Sequence, residues 1–292
     1  MRRFFINLKY FIEFIFVRLL FIIVYILPIN ITSKFGAILF RLFGRLSKSH
    51  ITAIQNCHHV FPNLTNKEVK KIVFKSWENL GQTIFELGIL KKIFNKSNYI
   101  QTEGLHNIKE IIQNKTPTIF FSIHHSNWEI CVPLLDRLGI NVGAIYRHIN
   151  NHYIDSFVLE QRAGSLQTNT SFYTPKGKQS AKDILEAVKN KNSVFLLVDQ
   201  KDSAGEDVIL FNKAIKTQMG FLKIARKYNM PLVPMENKRL KNAKFKIIFH
   251  NPIFYNDSNT SDADMMDKIH NIVEKWILSN PTQWFWQHNR FN

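Results

Sequence analysis

The sequence predicts an α/β domain with a mostly buried sheet flanked by helices, preceded by an N-terminal membrane-associated helical region. Three observations predict it. Apolar, β-prone runs at 117–123, 142–146, 193–198, 231–235 and 245–249 alternate with helical patterns at 127–138, 151–163, 178–190 and 217–228, as in chains whose sheet is covered on both faces. Between Lys9 and Asn30 the only charges are Glu13 and Arg18. The stretch that follows is amphipathic and basic.

The elements follow in order. Residues 9–30 approach the roughly 20 apolar residues that a membrane-spanning helix needs. A mid-span Arg18 costs roughly 2.5 to 3.5 kcal/mol on insertion scales, so an anchor here is either single-pass or monotopic. No small-x-small cleavage site follows Leu27, so the segment is read as retained. From about Ser33, Phe35, Ile38, Leu39, Leu42 and Leu46 share one helical face while Lys34, Arg41, Arg45 and Lys48 line its flank, the pattern of an interfacial helix on an anionic membrane. Helices are expected near 66–93, behind an Asn or Thr cap, near 106–113 and at about 261–279. The resulting division is 1–31 as a hydrophobic membrane anchor, 32–95 as a basic amphipathic and helical region, and 96–292 as the α/β domain.

Composition narrows the partners. A formal charge of +17 in 292 residues demands an anionic partner: nucleic acid, an anionic membrane, a phosphorylated substrate or an acidic protein. No nucleic-acid-binding motif is present, and an apolar N-terminus fits none. Cys57 and Cys131 lack metal-ligand spacing and form no disulfide framework, which fits a reducing compartment.

The most informative stretch is Ser122-Ile-His-His-Ser-Asn-Trp-Glu129, at the end of one apolar run and the start of a helical one. Ser126 and Glu129 match a capping box, in which each side chain caps the other's backbone amide. His125 and Glu129 are four apart, but H-E-x-x-H is absent and His125 falls outside a helix capped at Ser126, so no metal is called for. His124 and Glu129 read as a catalytic pair: the imidazole takes a proton from an attacking hydroxyl, and the carboxylate fixes its tautomer. Such a pair has no enzyme nucleophile and needs no covalent intermediate.

This stretch resembles the His-x-x-x-x-(Asp/Glu) motif of the lysophospholipid acyltransferase superfamily, and in particular the late acyltransferases of lipid A biosynthesis, the lauroyl and myristoyl transferases. Four further blocks are similar in order. Residues 53–88 resemble that family's helical block, with Asn56, Phe61, Pro62, Asn79, Gly81 and Glu86 in place. Residues 143–164 resemble its Tyr-Arg segment, 196–226 its Asp-Gln segment, and "PTQWFWQHNRF" its terminal Trp-x-His-x-Arg signature. Leu210-Phe211-Asn212 departs from the family's Phe-Phe-Gly, though Asn tolerates a left-handed backbone. The Phe-Pro-Glu-Gly-Thr block of glycerolipid acyltransferases is missing.

The resemblance implies an acyltransferase-type fold and O-acyl transfer from acyl carrier protein to a hydroxyl of a Kdo-modified lipid A precursor, in lipopolysaccharide biosynthesis. The alternative acceptor is another glycolipid, an amino-acid lipid or a lysophospholipid. His124 is then the general base and Glu129 its partner, while Arg147 and Arg162 hold acceptor anions or a developing oxyanion. Asp199 and Gln200, at another strand end, shape the same site. No cofactor is implied beyond the phosphopantetheine of the donor. The implied partners are acyl carrier protein, the lipid A precursor and an anionic membrane, with no nucleic acid, and the implied location is the cytoplasmic face of the bacterial inner membrane.

Overall fold

A computed structural model describes residues 2–255 and 260–291. Five helices come first: α1 (Arg2–Ile26), α2 (Ile29–Phe43), α3 (Lys48–Val60), α4 (Asn66–Leu87) and α5 (Leu90–Phe94). The alternating region follows as β1 (Ile100–Glu103), α6 (Lys109–Asn114), β2 (Ile119–Ser122), α7 (Cys131–Arg137), β3 (Val142–Tyr146), α8 (His152–Ala163), β4 (Phe172–Pro175), α9 (Lys178–Lys189) and β5 (Ser193–Leu197). A hairpin of β6 (Glu206–Leu210) and β7 (Lys213–Thr217) leads into α10 (Gly220–Tyr228), β8 (Leu232–Arg239), β9 (Phe245–Phe249) and α11 (Asp262–Ser279).

Seven strands form one sheet in the order β1-β9-β8-β2-β5-β3-β4. Every neighbouring pair is parallel except β8 with β9. The central strand β2 is buried throughout, and its successive residues serve opposite faces: Ile119 and Phe121 enter one apolar cluster, Phe120 the other. The first cluster also takes Ala53, Val69 and Trp77, the second Val24, Phe85 and Ile93, so the N-terminal helices share the core of the sheet.

Local chemistry sets the helices that matter for the site. Thr65 and Glu68 form the capping box that starts α4, and Ser261 and Asp264 the one that starts α11. Helices α2 and α4 cross at Gly36 and Gly81, where a Cβ on Gly81 would lie 2.1 Å from the Gly36 carbonyl oxygen. Only glycine permits that approach.

The structure departs from the sequence reading in three places. First, no helix among the described residues is long and apolar enough to cross a membrane, because every run of 18 residues within α1 includes Lys9, Glu13 and Arg18. Instead α1 ends before Pro28 and lies along α8, where Phe14 packs on Tyr153 and Phe21 on Phe157. Second, the helical pattern expected from 217 begins at Gly220; before it lies the unforeseen β6–β7 hairpin. Phe211 and Asn212, the two residues between its strands, both have positive φ (48° and 58°), as tight two-residue hairpins require, so the departure from Phe-Phe-Gly is accommodated in the turn. The Phe211 amide donates to Glu274 and its carbonyl faces His59 Nε2 at 3.1 Å, which holds a non-glycine residue there. Third, the edge strands β1 and β4 were not legible.

Candidate active site

The parallel register builds the site. Ser122 of β2 pairs with Leu197 of β5, so the chain two residues beyond each strand places His124 beside Asp199. His124 Nδ1 lies 2.7 Å from Asp199 Oδ1, and the His124 amide donates to Asp199 Oδ2 at 3.0 Å. Trp284 Nε1 donates to the same oxygen at 2.8 Å. Burial opposes ionisation of Asp199, but the adjacent His124 and these hydrogen bonds hold its carboxyl well below the usual carboxylate range. An ionised Asp199 can only accept, so Nδ1 carries the proton and donates to it, which leaves Nε2 as the lone-pair nitrogen. Gln200 Nε2 lies 3.1 Å from it.

Glu129 therefore does not hold the imidazole as the spacing implied. Its carboxylate is gripped by Arg162, whose Nε donates to Oε2 at 2.8 Å and Nη2 to Oε1 at 2.6 Å, while Trp128 Nε1 donates to Oε1 at 3.1 Å. Against burial, the Arg162 charge and these bonds hold Glu129 below its ordinary value. Arg162 in turn, although buried, is raised by Glu129. Its Nε and one Nη2 hydrogen are committed to Glu129, a bidentate pair on the lining of the cavity that His124 also borders. Glu129 still borders the same cavity as His124.

The capping box at Ser126 is also absent. Ser126 has φ 56°, which turns the chain sharply after the histidines, and its buried hydroxyl has no hydrogen-bond partner. Asn127 is the cap: its Oδ1 accepts from the Glu129 amide at 3.1 Å, and a single 3₁₀ turn, Trp128–Ile130, precedes α7. His125 is buried, with Nδ1 2.8 Å from the Asn237 carbonyl and Nε2 2.9 Å from that of Asn280, and burial pushes its pKa down. It ties the loop to β8 and to the end of α11 and does not face the cavity.

A second polar network fixes this loop from behind. Arg239, at the end of β8, donates to Asn79 at 2.7 Å, Glu86 at 2.5 Å and Thr83 at 3.1 Å, all on α4. Glu86 also accepts from Asn127 Nδ2 at 2.8 Å and Ser33 at 2.7 Å. Asn79 and Thr83 both donate to the Ser126 carbonyl. The C-terminal segment completes the frame, with Ser126 N donating to Gln283 O and Phe285 N to His124 O, both at 2.9 Å. Sequence reasoning placed Asn79, Glu86 and Trp284 in family-like blocks without giving them this work, and it missed Arg239; no spacing signal pointed to it.

The strand-end residues open into a cavity of about 1100 Å³. It is larger than the roughly 300–1,000 Å³ of most ligand pockets. His124, Glu129, Arg162 and Gln200 border it, and apolar walls run from Leu20 of α1 and Ile84 of α4 to Ile184 of α9 and Phe221 of α10. Arg147, which follows β3, stands exposed on its lining, and Lys176, which follows β4, pairs there with Asp202 at 2.8 Å. Cavity-lining polar groups thus come from the carboxyl ends of four parallel strands, the usual location of binding sites in open α/β sheets. Among the described residues, no group of three or more His, Cys, Asp or Glu is placed to hold a metal ion.

Comparison with known proteins gives the family of the chain. The chain is 25% identical to the lipid A biosynthesis lauroyltransferase of Escherichia coli K12 over 278 residues, covering 91% of this chain and 86% of that one. It is 21% identical to the lipid A biosynthesis palmitoleoyltransferase of the same organism over 260 residues, 84% of this chain and 79% of the other. Among solved structures, the 1-acyl-sn-glycerophosphate acyltransferase PlsC from Thermotoga maritima matches with 16% identity and a TM-score of 0.39, over 83% of this chain and 95% of that one. The family model of bacterial lipid A biosynthesis acyltransferases matches residues 2–292, and the chain belongs to that family.

Proposed function

We propose that this lipid A biosynthesis acyltransferase moves a fatty acyl group from an acyl carrier protein thioester to a hydroxyl of a Kdo-modified lipid A precursor, with His124 as general base. The observation that carries the reading is the oriented imidazole: Nδ1 is committed to Asp199, and both His124 and its Nε2 neighbour Gln200 border the large apolar cavity.

The chemistry follows. The acceptor hydroxyl displaces the Gln200 amide from Nε2 and gives its proton to that nitrogen as its oxygen attacks the thioester carbonyl. The buried Asp199 carboxylate stabilises the resulting imidazolium. Collapse of the tetrahedral intermediate breaks the carbon–sulfur bond; the departing thiolate takes the proton from Nε2, and the new ester remains on the acceptor. No acyl-enzyme forms. Glu129 acts through Arg162, fixing the wall of the cavity beside the base. Arg147, which has no ion pair among the described residues, is the cation placed to meet acceptor phosphate or Kdo carboxylates.

Membrane attachment at the inner-membrane surface is part of the same reading, in the monotopic form. The outer faces of α1 and α2 leave Phe4, Phe16, Ile26, Ile38 and Phe43 exposed, with Arg45 and Lys34 alongside, as a helix pair lying in a lipid interface would. The test is the mass of the lipid A precursor before and after incubation with the protein and a panel of acyl carrier protein thioesters. An increase equal to one acyl chain is expected; an unchanged precursor with every donor would sink the proposal.

A further inference from the structure

A second, shallow concavity, of about 610 Å³, lies on the face of α4 beside Arg41 of α2, outside the active-site cavity. Its walls are Arg41 of α2 and Lys67, Lys70, Lys71 and Lys75 of α4, with Phe74 between them. Glu78 neutralises part of this charge, pairing with Arg41 at 2.7 Å and Lys75 at 2.9 Å. Among the described residues, Lys67, Lys70 and Lys71 lie within ion-pair distance of no carboxylate, and all three are exposed. Like charges this close repel one another, and the reaction centre does not use them.

The groove is next to the active site through the chain itself. Phe40 lines the catalytic cavity and Arg41 the groove; Leu80 lines the cavity and Glu78 the groove. Along α4, Lys75 precedes Leu80 by five residues, roughly 7–8 Å of helix at 1.5 Å per residue.

We propose that this groove docks an acidic protein surface, that of the carrier domain which presents the acyl thioester. The proposal rests on the donor reading above. Two features favour a protein over lipid. The outward face of α4 exposes no large apolar side chain, whereas the faces assigned to the bilayer on α1 and α2 expose many, so α4 has charge to offer but nothing to insert. The cations also line a shallow concavity, which a convex acidic helix can fill. A domain seated there holds its thioester arm beside the cavity wall made by Phe40 and Leu80.

The test compares wild type with Lys67→Glu/Lys70→Glu/Lys71→Glu, using one acyl chain presented on acyl carrier protein and on free phosphopantetheine. Reversed rim charges slow encounter, so KM for the carrier-bound donor should rise on the order of tenfold or more. Kinetics with the phosphopantetheine thioester, and flotation with phosphatidylglycerol vesicles, should stay at wild-type values. An unchanged carrier KM, against a wild type that prefers the carrier-bound donor, overturns the groove assignment alone. Loss of flotation at an unchanged carrier KM overturns it in favour of lipid. A wild type that uses both donors alike overturns the donor reading, and the groove proposal with it.

Discussion

His124 and Asp199 meet because β2 and β5 are parallel neighbours in register: Nδ1 of the one lies 2.7 Å from Oδ1 of the other, two residues past the paired Ser122 and Leu197. The imidazole is therefore oriented by a side chain 75 positions away.

The Glu129–Arg162 pair has a different duty, and stability should report it. Glu129→Gln strands a buried guanidinium, which typically costs about 3–5 kcal/mol, and the Asn127 cap cannot offset that loss. A large fall in the denaturant midpoint is expected. Adding Arg162→Gln should recover much of it, since the stranded charge is gone. If Glu129→Gln unfolds like wild type, the pair does not support the site.

Overpacking at the helix crossing should disturb the loop at a distance. Gly81→Ala brings a methyl against the Gly36 carbonyl, and overpacking of this kind costs typically 1–3 kcal/mol. Because α4 also carries Asn79, Thr83 and Glu86, turnover should fall along with the melting temperature. A variant with wild-type stability would show that the helices separate freely.

Acid should weaken the fold through its buried histidines, His270 and His288 among them. Burial pushes His270 and His288 down to about 4, so the folded chain binds fewer protons than the unfolded chain between there and the ordinary 6.5. Stability rises with pH wherever the unfolded state binds more protons. Their contribution is thus complete above 6.5 and lost as pH falls towards 4. Melting temperature should climb across this window in wild type and more gently in His288→Gln. Parallel curves would remove His288 from the effect.

Surface apolar residues on α1 give a test of attachment that leaves the cavity wall intact. Phe16 and Ile23 are 69% and 53% exposed. Changing both to Ser should weaken vesicle association by roughly tenfold or more, given about 1.5–3 kcal/mol for burying such a side chain. Melting temperature should hardly move. Equal flotation of variant and wild type would show that this face does not enter lipid.

Much of the alternating core was legible because its strands are continuous apolar runs, as Ile119–Ser122 shows. Edge strands such as Ile100–Glu103, largely exposed, carry no such signal. The hairpin was hidden because Phe211-Asn212 lacks the glycine that marks such turns. At the site, His124, Glu129, Arg147, Arg162, Asp199 and Gln200 all line or adjoin one cavity, yet the pairings differ from those implied by spacing. Sequence proximity favoured Glu129 as the partner of His124. The left-handed turn at Ser126 breaks that local logic, and strand order, which sets β5 beside β2, cannot be read from spacing.

The most direct measurement is turnover of Asp199→Asn beside wild type and His124→Ala, with folding checked by near-ultraviolet circular dichroism. An amide at 199 can donate to Nδ1 where the carboxylate only accepts from its N–H, so the wrong tautomer is favoured and the imidazolium is left unsupported; loss of about 10⁴-fold is known for that change in a histidine–aspartate pair. A folded Asp199→Asn protein is expected whose acyl transfer falls by roughly 10³-fold or more, close to that of His124→Ala. A folded Asp199→Asn protein with near-normal acyl transfer would contradict this expectation.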